Sequence, residues 1–100
     1  MHADAKIVLT LYVMGTGPRS ARAIVNVRNL CDREIPGAYR LEVVDIAVAP
    51  EQARPNQLLA VPTLVLTQAS PPRQFVGDMS NDARIVEALQ ALRAARPTES

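Results

Sequence analysis

The most constraining feature of this sequence is a run rich in apolar and β-branched residues, K-I-V-L-T-L-Y-V, at positions 6–13. Thr10 is the only polar residue inside the run, and glycines and a proline follow soon after it. Runs of this kind, closed by turn residues, are typical of strands that are buried on both faces of a parallel sheet. A chain with such a strand must pack other elements, such as helices, against both faces of its sheet.

The segment that follows has the period of a helix rather than that of a strand. Gly15 permits a sharp turn, and Pro18 suits the first turn of a helix. From Pro18 to about Ile35, one face collects apolar side chains, which are Ala23, Ile24, Val27, Leu30 and Cys31. Pro36 and Gly37 then end the pattern, so the sequence predicts one amphipathic helix between these limits.

Shorter patterns predict the remaining elements. They indicate strands at 39–47, 61–66 and 74–76, a short helix around 51–54, and a last helix from 80 to about 95. The first strand, helix and strand form a right-handed parallel unit, and the last two strands, joined by a proline-rich link, form a hairpin. This order predicts an α/β, thioredoxin-like domain of the type βαβαββα, whose mixed four-stranded sheet has helices on both faces.

Length and composition narrow the class of protein. One hundred residues, 48% of them hydrophobic, suit a single domain, with residues 1–5 and 96–100 expected to be flexible. The polar start does not resemble a signal peptide, and no apolar run approaches the roughly 20 residues of a membrane helix. Cys31 is the only cysteine, so we expect a cytoplasmic protein without disulfides. The net charge of +1 gives no drive toward nucleic acid or membranes.

The turn into the first helix would carry the nucleophile of a thioredoxin-like enzyme. A redox enzyme needs a low-pKa cysteine there, but the turn reads M-G-T-G-P-R-S. Cys31 lies about three helical turns further along, on the apolar face. A small buried hydrophobe is the favoured interpretation of Cys31, and a catalytic thiol is the alternative. We therefore predict no catalytic, cofactor-binding or metal-binding residue.

Two further features leave alternatives open. The V-P-T sequence around Pro62 predicts a cis peptide bond facing the turn, and the alternative is a proline at the start of an edge strand. The first helix is also basic, which fits either a solvated face or a docking surface for an acidic partner. The residues concerned are Arg19, Arg22, Arg28 and Arg33.

The run L-Y-V-M-G-T-G-P-R-S-A-R-A at 11–23 resembles the signature of the KaiB family, L-Y-V-x-G-x-x-P-x-S-x-R-A. The same register continues through V-V-D-I at 43–46, L-A-V-P-T-L at 59–64 and G-D-M-S-N at 77–81. The resemblance covers about residues 6–92. The sensor domain of the clock histidine kinase SasA is a relative of the same family.

This resemblance implies a binding protein rather than an enzyme. Members dock on the hexameric ATPase KaiC in circadian timing, so it implies a KaiC-like ATPase as partner, a KaiA-like protein or a kinase as further partners, and possible homo-oligomers. It makes Arg22 and Arg73 candidate partner-binding residues, and gives Gly15, Pro18 and Pro62 structural roles. The alternatives are a thioredoxin-like thiol enzyme and an adaptor or sensor domain for a histidine kinase.

The resemblance also implies a metamorphic chain. A ground-state fold, usually tetrameric, rearranges its C-terminal half into the thioredoxin-like fold that binds KaiC. Cyanobacterial members typically carry Gly where this chain has Ala88, and Asp where it has Gln90, and both replacements favour a continuous last helix. We therefore expect the thioredoxin-like fold in the resting protein, as a monomer or weak dimer.

Some positions depart from the cyanobacterial pattern. Several positions that are basic in the clock proteins are not basic here, and they hold Glu42, Gln57, Leu66 and Gln74. These differences favour a homologue with its own KaiC-like ATPase, in a related timing or stress system, over a member of a complete KaiA–KaiB–KaiC oscillator.

Overall fold

The two most apolar strands of the chain lie side by side at the centre of a four-stranded sheet. A computed structural model describes residues 6–15, 17–51, 62–69, 71–80 and 83–95. Its elements are β1, Ile7–Val13; α1, Pro18–Glu34; β2, Tyr39–Asp45; β3, Thr63–Leu66; β4, Arg73–Val76; and α2, Ala83–Ala95. The four predicted strands and the two long helices are confirmed, with ends that differ from the predicted ones by at most three residues.

The end of β2 differs from its predicted position for a local reason. The Asp45 carboxylate accepts a hydrogen bond from the Ala47 N–H at 2.9 Å, and the Asp45 carbonyl accepts one from Val48 at 3.0 Å. These bonds turn the chain two residues before the predicted end of the strand. The short helix predicted around 51–54 lies outside the described residues, except for Glu51.

The sheet has the strand order β2-β1-β3-β4. β1 runs parallel to β2, with Ile7 beside Tyr39 and Val13 beside Asp45. β1 is antiparallel to β3, and β3 is antiparallel to β4 as the predicted hairpin requires. This mixed arrangement makes β1 and β3 central, which explains why these two strands are almost entirely apolar.

Alternate residues of the central strands build the core. One face of the sheet presents Ile7, Leu9, Leu11, Val13, Leu64 and Leu66, all buried. Against it pack Ala23, Val27, Leu30 and Cys31 of α1, with Ile85, Ala88 and Leu89 of α2. Each fully buried valine, leucine or isoleucine side chain contributes about 1.5–3 kcal/mol. Both described helices pack on this face.

Polar contacts join the C-terminal ends of the two helices. The Arg93 guanidinium donates to the Glu34 carbonyl at 3.1 Å, and the Gln90 amide donates to the Glu34 carboxylate at 3.3 Å. A cation on the last carbonyls of a helix is favourable because those groups have no partner within the helix. Of the helices that the structure describes, neither combines the length and the apolar character that crossing a membrane requires.

Candidate functional site

Three segments meet at the end of the sheet where β1 runs into α1. Tyr12 of β1 lies beside Thr63 of β3, and Thr63 lies beside Val76 of β4. The Gly77 N–H donates to the Pro62 carbonyl at 2.9 Å, which ties the end of β4 to the start of β3. Pro62 is buried. The predicted cis bond joins it to residue 61, which lies outside the described residues.

The β1–α1 turn is held by contacts to its own backbone. Gly15 has φ of +72°, a left-handed conformation that favours glycine. Its N–H donates to the Asp45 carboxylate at 2.9 Å, so this acidic side chain joins the turn to the end of β2. Pro18 occupies the first turn of α1, and the hydroxyl of the buried Ser20 donates to the Met14 carbonyl at 3.3 Å. These hydrogen bonds hold the turn in place, and its sequence contains no cysteine.

Beside this turn, α1 contacts the loop that follows β4. The Arg22 guanidinium Nε lies 3.5 Å from Asp78 Oδ2, with the Arg22 side chain 54% exposed and that of Asp78 32% exposed. The Asn26 amide, one turn further along α1, donates to the Asp78 carbonyl at 2.8 Å. We name Arg22, Asn26, Asp78 and Ser80 the Arg22–Asp78 cluster. It places a fixed carboxylate next to a partly exposed guanidinium.

The ionisation of Asp78 follows from the same contacts. Its Oδ1 accepts a hydrogen bond from the Ser80 N–H at 3.0 Å. Hydrogen bonds from Ser80, followed by the charges of Arg22 and Arg19, lower the pKa of the Asp78 carboxyl. The carboxylate is therefore negative at neutral pH and orients the Arg22 side chain.

The loop of Asp78 has an unusual backbone. Gly77 has φ of +120°, and Met79 has φ of +65° although it is not glycine. Left-handed non-glycine residues are uncommon, and burial holds Met79 in place because its side chain is only 5% exposed. The Met79 anchor and the Asn26 bond together fix the position of Asp78.

Arg73 lies at the opposite end of the sheet. It begins β4 beside Leu66, and its guanidinium carbon lies 5.2 Å from the centre of the Phe75 ring, a cation–π distance. It also lines a surface groove of about 380 Å³ with Gln68, Ala69, Pro71, Ala88, Ala91 and Leu92. A four-residue strand separates Arg73 from Gly77, roughly 13 Å of chain. The two predicted partner-binding arginines therefore belong to different surfaces.

Asn26 and Asp78 are the members of the site that the sequence analysis did not single out. The spacing of Asp78 and Ser80 fits a turn in which an Asp side chain accepts from the backbone two residues on. That pattern predicts a local turn and gives no indication of contact with α1. The contact between Asn26 and Asp78 spans 52 positions, so it depends on the tertiary fold.

Cys31 is a core residue. It is 0% exposed and packs in the cluster between the sheet and the helices, as the favoured interpretation predicted. Burial, and secondarily the charge of Asp32, raises the pKa of its thiol to about 12. A protonated, buried thiol is a poor nucleophile. Within the described residues, no three His, Cys, Asp or Glu side chains lie close enough to hold a metal ion.

We expect the native protein to lack thiol–disulfide exchange activity. In the folded state Cys31 should react with Ellman's reagent at least about a hundredfold more slowly than in urea, because the thiolate forms only when the core opens. Insulin reduction should proceed at the same rate with Cys31→Ser as with the original chain. Insulin reduction that depends on Cys31 would contradict this assignment.

Comparison with known proteins places this geometry in a family. The KaiB domain model matches residues 10–91. The chain belongs to the KaiB family. It is 38% identical over 90 residues to the circadian clock oscillator protein KaiB of Nostoc punctiforme, covering 90% of this chain and 86% of that one. It is also 38% identical over 85 residues to KaiB of Thermosynechococcus vestitus, covering 85% and 79% of the two chains.

Solved structures agree with the predicted fold class. The N-terminal domain of SasA from Synechococcus elongatus superposes with a TM-score of 0.74 at 21% identity, covering 95% of this chain and 90% of that domain. Thioredoxin from Fasciola hepatica superposes with a TM-score of 0.67 at 19% identity, covering 89% and 83%. The fold of this KaiB-family chain is therefore thioredoxin-like.

Proposed function

We propose that this protein is a KaiB-like regulator that docks on a KaiC-like ATPase, in a circadian clock or a related timing or stress system in the cytoplasm. Membership of the KaiB family, with 38% identity to circadian clock oscillator proteins over most of the chain, is the observation that carries the proposal. The buried, protonated Cys31 argues against the alternative of a thiol enzyme.

The exposed side of α1 near the Arg22–Asp78 cluster is the proposed docking surface. The Arg22 guanidinium, whose Nε lies 3.5 Å from Asp78 Oδ2, belongs to a side chain that is 54% exposed, so it remains accessible to a partner carboxylate. Two large apolar residues of this region are more than half exposed: Met14, which precedes the β1–α1 turn, at 52% and Val25 of α1 at 54%. Exposed apolar groups beside an arginine are typical of a protein–protein interface.

Binding at this surface depends on the arrangement of the C-terminal half. Asp78 reaches Arg22 because β4 lies beside β3 and the following loop returns to α1. A fold that moves β4 and α2 separates Asp78 from Arg22. The proposal therefore links partner binding to the thioredoxin-like arrangement, and the ground-state fold implied by the family resemblance would be the form that does not bind.

Affinity purification from the native organism tests the proposal. A tagged copy of the full chain should recover a KaiC-like ATPase, identified by mass spectrometry and by nucleotide hydrolysis of the eluate. Recovery of a histidine kinase without an ATPase would favour the adaptor hypothesis, which the likeness to the SasA domain motivates. Recovery of neither protein would contradict the proposed function.

We expect Arg22→Glu to weaken binding of that ATPase by about five- to tenfold, because it removes the guanidinium and places a second carboxylate beside Asp78. Arg40→Glu makes the same charge change at a side chain of β2 that is 69% exposed and lies outside α1, and this variant should bind as the original chain does. Surface plasmon resonance measures both, and thermal unfolding shows that both variants fold. Equal affinities for the two variants would remove Arg22 from the interface.

A further inference from the structure

Among the strands that the structure describes, β2 has a partner on one side of its backbone only. It lies at the end of the sheet order and pairs with β1 alone among the described strands. The Ala38 carbonyl accepts from the Ile7 N–H at 3.0 Å, and the Ile46 N–H donates to the Val13 carbonyl at 2.9 Å. In a parallel strand the direction of the peptide groups alternates. The N–H and C=O groups of the even-numbered residues of β2 therefore point toward β1. Those of the odd-numbered residues between them point away from the sheet.

The outward peptide groups belong to Tyr39, Leu41, Val43 and Asp45, and the Asp45 carbonyl already accepts a hydrogen bond from the Val48 N–H at 3.0 Å. The side chains of the first three lie on the face of the sheet that carries the helices, where Tyr39 and Leu41 pack at the edge of the core and Val43 is 39% exposed. The Tyr39 hydroxyl donates to Asp32 Oδ1 of α1 at 2.7 Å. No proline or lysine interrupts β2 to protect this edge.

The other face of β2 carries one positive and one negative side chain. Arg40 Nε lies 3.4 Å from Glu42 Oε2, and the two side chains are 69% and 46% exposed. They flank Leu41 symmetrically, one residue to each side. A strand with this pattern is complementary in charge to an antiparallel copy of itself.

We propose that two copies of this chain pair through their β2 edges, antiparallel and centred on Leu41. Leu41 then lies opposite Leu41 of the second copy, Tyr39 lies opposite Val43, and Arg40 lies opposite Glu42. The outward peptide groups of the two copies then lie opposite each other. Two hydrogen bonds form between the two Leu41 residues, and two more form in each of the two Tyr39–Val43 pairs. The exposed Val43 is covered by a tyrosine ring. This inference is independent of the proposed function.

Charge selects this register among the possible ones. Centring the pair on Arg40 places two guanidinium groups opposite each other, and centring it on Glu42 places two carboxylates opposite each other. Like charges directly opposite across strands are destabilising, and opposite charges are stabilising. If the pair is centred between two neighbouring residues, outward peptide groups lie opposite inward ones, and no hydrogen-bond ladder forms. Centring the pair on Tyr39 or Val43 keeps the hydrogen bonds but no longer sets Arg40 opposite Glu42, so only the Leu41 centre combines the hydrogen bonds with two opposite-charge pairs.

The net charge of +1 adds little repulsion between copies. The pairing is nevertheless small, because a strand of seven residues buries less than a standard interface. We expect a reversible dimer with a dissociation constant on the order of 10–100 µM.

Analytical ultracentrifugation of the purified full chain tests the dimer. Arg40→Glu and Glu42→Arg should each weaken it by about tenfold or more, since each creates two like-charge pairs. An equimolar mixture of these two variants, and the double swap Arg40→Glu with Glu42→Arg, should both restore it. Glu87→Arg makes the same charge change on an exposed position of α2 and should leave the dimer unchanged.

Two further measurements test the register. Val43→Pro removes an outward N–H and should abolish the dimer while leaving the β1–β2 ladder intact. A mixed labelled and unlabelled sample should give an intermolecular Hα–Hα contact between Arg40 and Glu42 by NMR. A wild-type chain that stays monomeric at about 1 mM, single swaps that dimerise normally, or a failure of the double swap to restore the dimer would each overturn the proposal.

Discussion

Replacing Leu9 with alanine is expected to lower the free energy of unfolding by about 3–5 kcal/mol. Leu9 is 0% exposed at the middle of β1, the strand that pairs with both β2 and β3. Its side chain packs in the cluster formed with α1 and α2. The sheet and both helices enclose the site on every side, so little collapse can fill the cavity left by the lost atoms.

Leu92→Ala is the matched control for this prediction. Leu92 is only partly buried near the end of α2, so the same chemical change should cost roughly 1 kcal/mol. Urea unfolding followed by circular dichroism measures both variants, with equal slopes required for the comparison. If Leu9→Ala cost no more than Leu92→Ala, β1 would not be the centre of the core.

The success of the sequence prediction at β1 and α1 has a physical explanation. β1 is buried on one face and partly or fully buried on the other, so its pattern is an apolar run, and α1 is buried on one side, so its pattern has the helical period. Gly15 and Pro18 mark the boundary between them. These signals are local in the chain, and the same residues that produce them also make the core.

β2 shows where the local pattern was insufficient. Its apolar residues continue past Asp45, which is why the predicted strand extended to residue 47. The strand ends at Asp45 because that carboxylate binds the N–H groups of both Ala47 and Gly15. The second of these bonds joins residues 30 positions apart, and no periodicity of the strand reports it.

The candidate site was also predictable only in part, because its contacts join residues that are far apart in the sequence. Family resemblance selected Arg22 and Arg73 as one set, yet the fold separates them to opposite ends of the sheet. Asp78, which orients Arg22, is contributed by a loop whose position depends on β4 and on the buried Met79. Single residues could be selected from the sequence, but the pairing between them is a property of the tertiary structure.

The double variant Ala88→Gly with Gln90→Asp is expected to shift the chain away from the thioredoxin-like arrangement. Glycine costs about 1 kcal/mol in a helix interior, and aspartate a few tenths relative to glutamine. Ala88 is also 4% exposed within the core, so its methyl group contributes up to about 0.8 kcal/mol more. Gln90 loses its bond to Glu34 as well. The sum, about 2 kcal/mol, changes a two-state ratio by about thirtyfold.

The measurement is the NMR spectrum of the resting protein. In the original chain, the Cα shifts of Ala83–Ala95 should be helical in a single set of peaks, because α2 is continuous there. In the double variant a second folded set should appear, with non-helical shifts in this segment. Ala21→Gly makes a similar change at an exposed position of α1, outside the C-terminal half that the family resemblance implies to rearrange, and should lower stability without producing a second set. A double variant that keeps one helical set, or that only unfolds, would show that helix propensity in α2 does not select the fold.

Because the Arg22–Asp78 contact requires β4 and its loop in place, the second set should also lack partner binding, which couples this prediction to the docking proposal.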